Sequence, residues 1–146
     1  MLALEIEKSA VKGFMAKILR ETLFDGFEVR TVEIATIPRI SLDGACDCGF
    51  VTWGDIRKLA YEIIKLCPRP KQMKIIFSYK NPQEIHANAV AAFVNLVYEN
   101  DSVTFTTATA QKDFTLDKTL DHAWDNYVMD FFKEAGLPVF ERTELT

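Results

Sequence analysis

Three cysteines and two histidines are the side chains of this 146-residue chain best suited to hold a metal or attack a substrate. Cys46-Asp47-Cys48 lies in a loop bounded by Gly44 and Gly49, and thiolates one residue apart can share an ion. A zinc site wants four ligands, so Cys67 and His86 would have to complete it. Neither stands in a Cys-x-x-Cys or His-x-x-x-His spacing, and free loop thiols are the plainer reading. Three cysteines cannot all pair within the chain, and a Cys-x-Cys pair rarely reaches disulfide geometry. Reduced thiols in a cytoplasmic protein are therefore expected.

A nucleophile pair could be assembled from Cys48, Cys67 or Ser78 with a histidine, but no Gly-x-Ser-x-Gly elbow exists. His122 falls on the exposed side of an expected helix, where Asp125 is within reach as an ordinary surface contact. No residue is assigned a catalytic, cofactor-binding or metal-binding role.

Charge supplies the one candidate site. Lys65, Arg69, Lys71 and Lys74 lie in a ten-residue stretch without an acid, KLCPRPKQMK. Without those four charges the net charge of −4 becomes −8, so the molecule is polarised. The stretch is a candidate patch for an anion or a partner. It lacks the glycine cradle of a phosphate loop, and a solvated connector explains it equally simply. With a pI of about 5.2, binding of nucleic acid by bulk electrostatics is not expected. Asp117, Asp121 and Asp125, spaced by four, read as a solvated acidic side of the last helix.

Positioning these residues requires a folded core. Hydrophobic residues make up 49% and charged residues 26%, a balance typical of one globular domain spanning 1–146. No apolar run is long enough to cross a bilayer, and Glu5 stands where a secretory leader would need basic residues. Leu2 to Ile6 alternates weakly as a first strand. Val11, Phe14, Met15, Ile18, Leu19 and Thr22 mark one helical face, stopped by Asp25-Gly26. Residues 31–42 alternate as a long strand that Pro38 puts at an edge or breaks in two.

Thr52-Trp53-Gly54-Asp55 has capping-box form ahead of a helix whose face is Ile56, Leu59, Ala60, Ile63 and Ile64. Met73 to Tyr79 alternates as a strand. Asn81-Pro82 then opens a short helix expected to reach about Ala91. Phe93 to Glu99 and Ser102 to Thr109 pair through Asn100-Asp101, with Tyr98 opposite Val103, Leu96 opposite Phe105 and Val94 opposite Thr107. The opposite face, with Asn95, Thr104 and Thr106, is left to solvent or to a subunit contact. Thr115 or Asp117 caps a last helix that buries Leu116, Leu120, Ala123, Trp124, Tyr127, Val128, Phe131 and Ala135. Leu96, Tyr98, Val103 and Phe105 are expected beneath Trp124, Tyr127 and Phe131. Val139-Phe140 can add an edge strand.

The order β-α-β(β)-α-β-α-β-β-α predicts an α+β fold, helices packed on a largely antiparallel sheet. The β-α-β-β start and middle share their topology, without any motif, with the halves of a sliding-clamp domain. Val94-Asn95-Leu96-Val97-Tyr98-Glu99-Asn100, the strand Thr104 to Thr109, and Phe114-Thr115-Leu116-Asp117-Lys118 leading into His122-Ala123-Trp124-Asp125 resemble an uncharacterised bacterial family of clostridial and related gut anaerobes. The likeness extends over most of the chain. It implies an anaerobic bacterial cytosol and brings no catalytic residues.

The reading reached is a non-enzymatic binding or assembly domain, a homo-oligomer or the companion of an unknown protein, with no membrane contact. Two alternatives stand beside it: an enzyme with a small-molecule pocket near Cys46, Cys48 and His86, and a nucleic-acid binder through Lys65 to Lys74.

Overall fold

A computed structural model describes residues 2–36, 38–47, 49–66 and 70–142. Alternating apolar residues build one antiparallel sheet of seven strands, in the spatial order β3-β2-β6-β7-β8-β1-β9. In chain order the elements are β1 (Ala3–Ile6), α1 (Val11–Arg20), β2 (Glu28–Ala35), β3 (Ile40–Asp43) and the small hairpin β4 (Ala45–Cys46) and β5 (Gly49–Phe50). Then come α2 (Trp53–Leu66), β6 (Gln72–Ser78), α3 (Pro82–Ile85), β7 (Ala89–Glu99), β8 (Ser102–Gln111), α4 (Thr119–Glu134) and β9 (Val139–Glu141). The expected α+β class is the one observed.

The central hairpin has the expected register: Tyr98 opposes Val103, Leu96 opposes Phe105 and Val94 opposes Thr107. Asn100 and Asp101 take φ of 52° and 59°, the paired left-handed residues of a type I′ turn, whose twist suits the strands. The 31–42 run breaks, as Pro38 allows. β2 and β3 pair antiparallel, with β3 at the sheet edge, and Ile37 lies outside the described residues. β9 forms the opposite edge and pairs with β1.

Helices α1, α2 and α4 pack on the same face of the sheet. That face is built from Leu4, Val32, Ile75, Leu96 and Phe105, each at most 1% exposed. The capping box at the start of α2 is present: the Thr52 amide donates to Asp55 Oδ2 at 3.0 Å and the Asp55 amide to Thr52 Oγ1 at 3.3 Å. The Thr52 amide, followed by the Thr52 side chain, holds the Asp55 carboxyl below its ordinary pKa. Trp53 is fully buried and donates its indole N–H to the Ile18 carbonyl at 2.8 Å, tying α2 to α1.

Four expectations are corrected. Strand β7 begins at Ala89, and α3 ends at Ile85 instead of near Ala91. Pairing with β8 and burial of Ala89, Ala91 and Ala92 outweigh the helical preference of alanine. Helix α4 starts at Thr119, after a loop that leaves Leu116 exposed, so Leu116 is no core residue. Leu59 likewise points out of α2, 51% exposed, and Thr22 lies beyond α1 in an exposed position.

The fourth correction concerns the core itself. Phe105 meets Phe132 at 4.7 Å between ring centroids and Phe14 at 5.5 Å. Phe131 packs instead on Phe24 and Phe27, and Trp124 and Tyr127 on Tyr79. Tyr98 is only half-buried. Because α4 lies across the sheet, successive turns meet different strands. A helical wheel gives the apolar face and not that crossing.

Candidate functional site

Helix α1 carries an apolar arc wider than one sheet contact needs. Phe14 and Ile18 face the sheet, while Val11, Met15 and Leu19, four residues apart, continue round the helix to a second side. Together with Ile64 of α2, Met73 of β6 and Tyr98 of β7, they line a groove of about 540 Å3. Lys8 and Lys12, also four apart, stand exposed at its rim beside Ser9, and Pro70 closes one wall. Asp101 lies on the other side and accepts the Tyr98 phenol at 3.1 Å. Burial, and then that carboxylate, push the Tyr98 pKa up, so the phenol keeps its proton and acts as a donor. The groove offers an apolar floor, two cations at one rim and, at the other, a phenol bonded to a carboxylate. It suits an apolar group that carries a negative charge.

A second cleft of about 600 Å3 lies between β8 and α4, lined by Thr107, Thr109, Gln111, Lys112, Asp121 and Asp125. Its carboxylates are already engaged. Thr107 Oγ1 donates to Asp125 Oδ1 at 2.6 Å, and Thr109 Oγ1 donates to Asp121 Oδ1 one turn earlier. The Asp117–Asp121–Asp125 row therefore does not behave as the solvated face expected from spacing alone. Two of its members clasp the helix to the sheet, and the contact expected between Asp125 and His122 is replaced by the one to Thr107. Asp117 precedes the helix and is bonded by the Thr119 amide and hydroxyl. Those bonds, with smaller help from His86 and His122, lower its pKa.

The other sequence candidates are dispersed. Lys65, in the last turn of α2, lies over the Tyr61 ring and 3.5 Å from Glu62. Lys74 stands on the sheet face turned away from the helices, in register with Glu33 and Val97. Lys71 is exposed directly after Pro70, and Arg69 lies outside the described residues. Cys46 is an exposed free thiol in β4, while Cys48 and Cys67 also lie outside the described residues. His86 follows α3 and accepts the Asn88 amide through Nδ1 at 3.1 Å. Neither Cys46 nor His86 lines either of these clefts. Among the described residues no cluster of His, Cys, Asp and Glu has metal-binding geometry.

Arg30 escaped the sequence reading. It stacks over Phe50 at 3.8 Å, approaches Phe93 at 5.2 Å and donates Nε–H to the buried Ser78 hydroxyl at 3.2 Å. The extra residue of a bulge between Val29 and Thr31 places it there. Nothing in the local sequence announces a bulge. Lys8, Val11, Lys12, Met15 and Leu19 share one helical side, but lysines commonly flank a covered apolar stripe, so this spacing did not announce the groove.

Fold and groove define a small α+β protein with three helices on one face of an antiparallel sheet and an apolar, cation-rimmed cleft beside the first helix. The chain belongs to the family of unknown function DUF5721, which matches residues 17–141. The match takes in Leu19, Ile64, Met73 and Tyr98 of the groove, whereas Lys8, Lys12 and Met15 precede it. No curated protein and no solved structure matches the chain. The shared topology with sliding-clamp halves accordingly carries no argument. Among the described residues no helix is long and apolar enough to cross a membrane.

Proposed function

We propose that this chain is a non-enzymatic binding and assembly domain whose working site is the groove between α1 and α2. The observation that carries the reading is a preformed apolar floor, buried Val11, Leu19 and Met73 with half-buried Met15 and Ile64, under the cations Lys8 and Lys12. Lys71 adds a further positive charge directly after the groove-lining Pro70, whereas Lys74, on the far face of the sheet, takes no part. The apolar floor favours holding an occupant over transforming it. The setting is a reducing bacterial cytosol, in keeping with the exposed free Cys46 and with the clostridial resemblance.

The test is a fluorescence titration with an anilinonaphthalenesulfonate dye, an aromatic body bearing one anionic group. Saturable, blue-shifted binding is expected, weakened several-fold by Lys12→Glu, roughly as removal of a close charge contact would do. Met15→Glu should abolish it. Equal binding to wild type, Lys12→Glu and Met15→Glu would overturn the assignment.

A further inference from the structure

The loop before α4 exposes two large apolar side chains while its backbone is held in place. Phe114 is 86% and Leu116 82% exposed. Asn88 bonds both sides of Asp113, donating Nδ2–H to its carbonyl at 2.8 Å and accepting its amide at 2.9 Å. Gln111 does the same for Thr115, donating at 3.3 Å and accepting at 3.1 Å. The Asp117 amide donates to Thr115 Oγ1 at 3.1 Å, and the Thr119 amide donates to Asp117 Oδ1 at 2.9 Å. A segment ordered in this way loses little further entropy on binding, so its apolar side chains act as prepared anchors.

The groove and this knob lie at opposite ends of one strand. Ala89, where β7 begins, pairs with Gln111 at the base of the knob, and Tyr98 near its other end lines the groove. Ten residue steps separate the ends of β7, about 33 Å at strand rise, so a chain's knob cannot reach its own groove. Of the six large apolar side chains exposed among the described residues, Phe114 and Leu116 are the most exposed and form the knob, Val90 stands beside its Asn88 anchor and Leu66 ends the helix that walls the groove, while Leu59 and Phe140 lie elsewhere on α2 and β9.

We infer that the occupant of the groove is the Lys112–Lys118 knob of a second copy of this chain, giving a head-to-tail assembly. This rests on the groove reading above and names its ligand. Phe114 and Leu116 meet the apolar floor of Met15, Ile64 and Met73. Asp113 and Asp117, beside the apolar pair, meet Lys8 and Lys12, while the outer lysines of the knob, Lys112 and Lys118, face the Asp101 side. The contact is heterologous, each copy using two different surfaces, so it propagates until it closes a ring or continues as a filament.

Complementary variants test it by sedimentation velocity over a concentration series. Phe114→Asp removes the knob and keeps the groove; Met15→Glu removes the groove and keeps the knob. Wild type is expected to grow beyond the monomer with concentration, each variant alone to stay monomeric, and an equimolar mixture to stop at a dimer. Lys12→Glu, exposed and harmless to folding, serves in place of Met15→Glu if that variant unfolds, and weakens association roughly tenfold. A wild type that stays monomeric throughout, a dimer indifferent to Phe114→Asp, or a mixture that stays monomeric overturns the inference. The dye separates the two readings, since Phe114→Asp still binding dye in a chain that never self-associates removes the knob and leaves the groove.

Discussion

The Thr107 hydroxyl donates to Asp125 Oδ1 at 2.6 Å while accepting the Leu2 amide at 2.8 Å, so one side chain joins β8, α4 and the chain ahead of β1. Thr107 is 2% exposed on the core face of the sheet, where an unpartnered polar group is costly. Thr107→Val keeps the shape and strands both partners, and should destabilise by about 1–3 kcal/mol in urea unfolding. Thr107→Ser retains the hydroxyl and should recover most of that loss. Equal stability of the Val and Ser variants would show that the bonds contribute nothing.

How much of this was legible follows from where the determinants lie. The β7–β8 register could be read from residues 93–109 because two left-handed residues and an apolar alternation agree within a single hairpin. The break at Pro38 and the capping box at Thr52 were equally local. Phe132 continues the four-residue spacing of Leu120, Trp124 and Val128, but Phe131, one residue earlier, also fits the apolar arc, and only the crossing of α4 over β8 decides which of the two meets Phe105. The groove needs four elements at once, so α1 alone could show no more than an apolar arc overlapping two lysines. The Thr107–Asp125 clasp joins two elements, while the four-residue spacing of Asp117, Asp121 and Asp125 pointed to a simpler helix-surface role.

The contrast between Phe132 and Leu116 gives a sharp test of the corrected core. Phe132 is 1% exposed against Phe105, and Phe132→Ala should destabilise by about 3–5 kcal/mol, through lost transfer energy and a residual cavity. Leu116→Ser, at an 82% exposed position, should shift the unfolding midpoint by no more than about 0.5 kcal/mol. The reverse order would restore Leu116 to the core.

Gly44 is required by a close approach. A Cβ there would lie 1.7 Å from the Val29 carbonyl oxygen, with the Gly44 amide bonded to Arg30 at 2.9 Å. Backbone cannot swing aside as a side chain can. Gly44→Ala should therefore destabilise by about 2 kcal/mol or more through forced displacement of the β2 edge, with the β4–β5 hairpin losing amide protection first. Gly13→Ala, where a Cβ meets nothing within 4 Å on exposed helix α1, should instead stabilise by about 0.5–1 kcal/mol. Both are read from denaturant midpoints, and Gly44→Ala matching Gly13→Ala would refute the steric account.

Tyr79 provides the pH-dependent prediction. Burial, followed by its neighbours Tyr127 and Glu84, pushes its phenol up to about 12, and its hydroxyl lies 3.2 Å from Glu84 Oε2. An unfolded tyrosine ionises near ~10, so the folded state holds this proton more tightly. Its stabilising contribution is complete below the unfolded value and is lost as pH rises through the folded one. Stability should therefore fall between pH 10 and about 12, and less steeply in Tyr79→Phe. Phenolate absorbance of wild type minus Tyr79→Phe should show one step near 12. A difference step at the unfolded value would place Tyr79 in open solvent, against its packing at 5.1 Å on Tyr127 and 5.7 Å on Trp124.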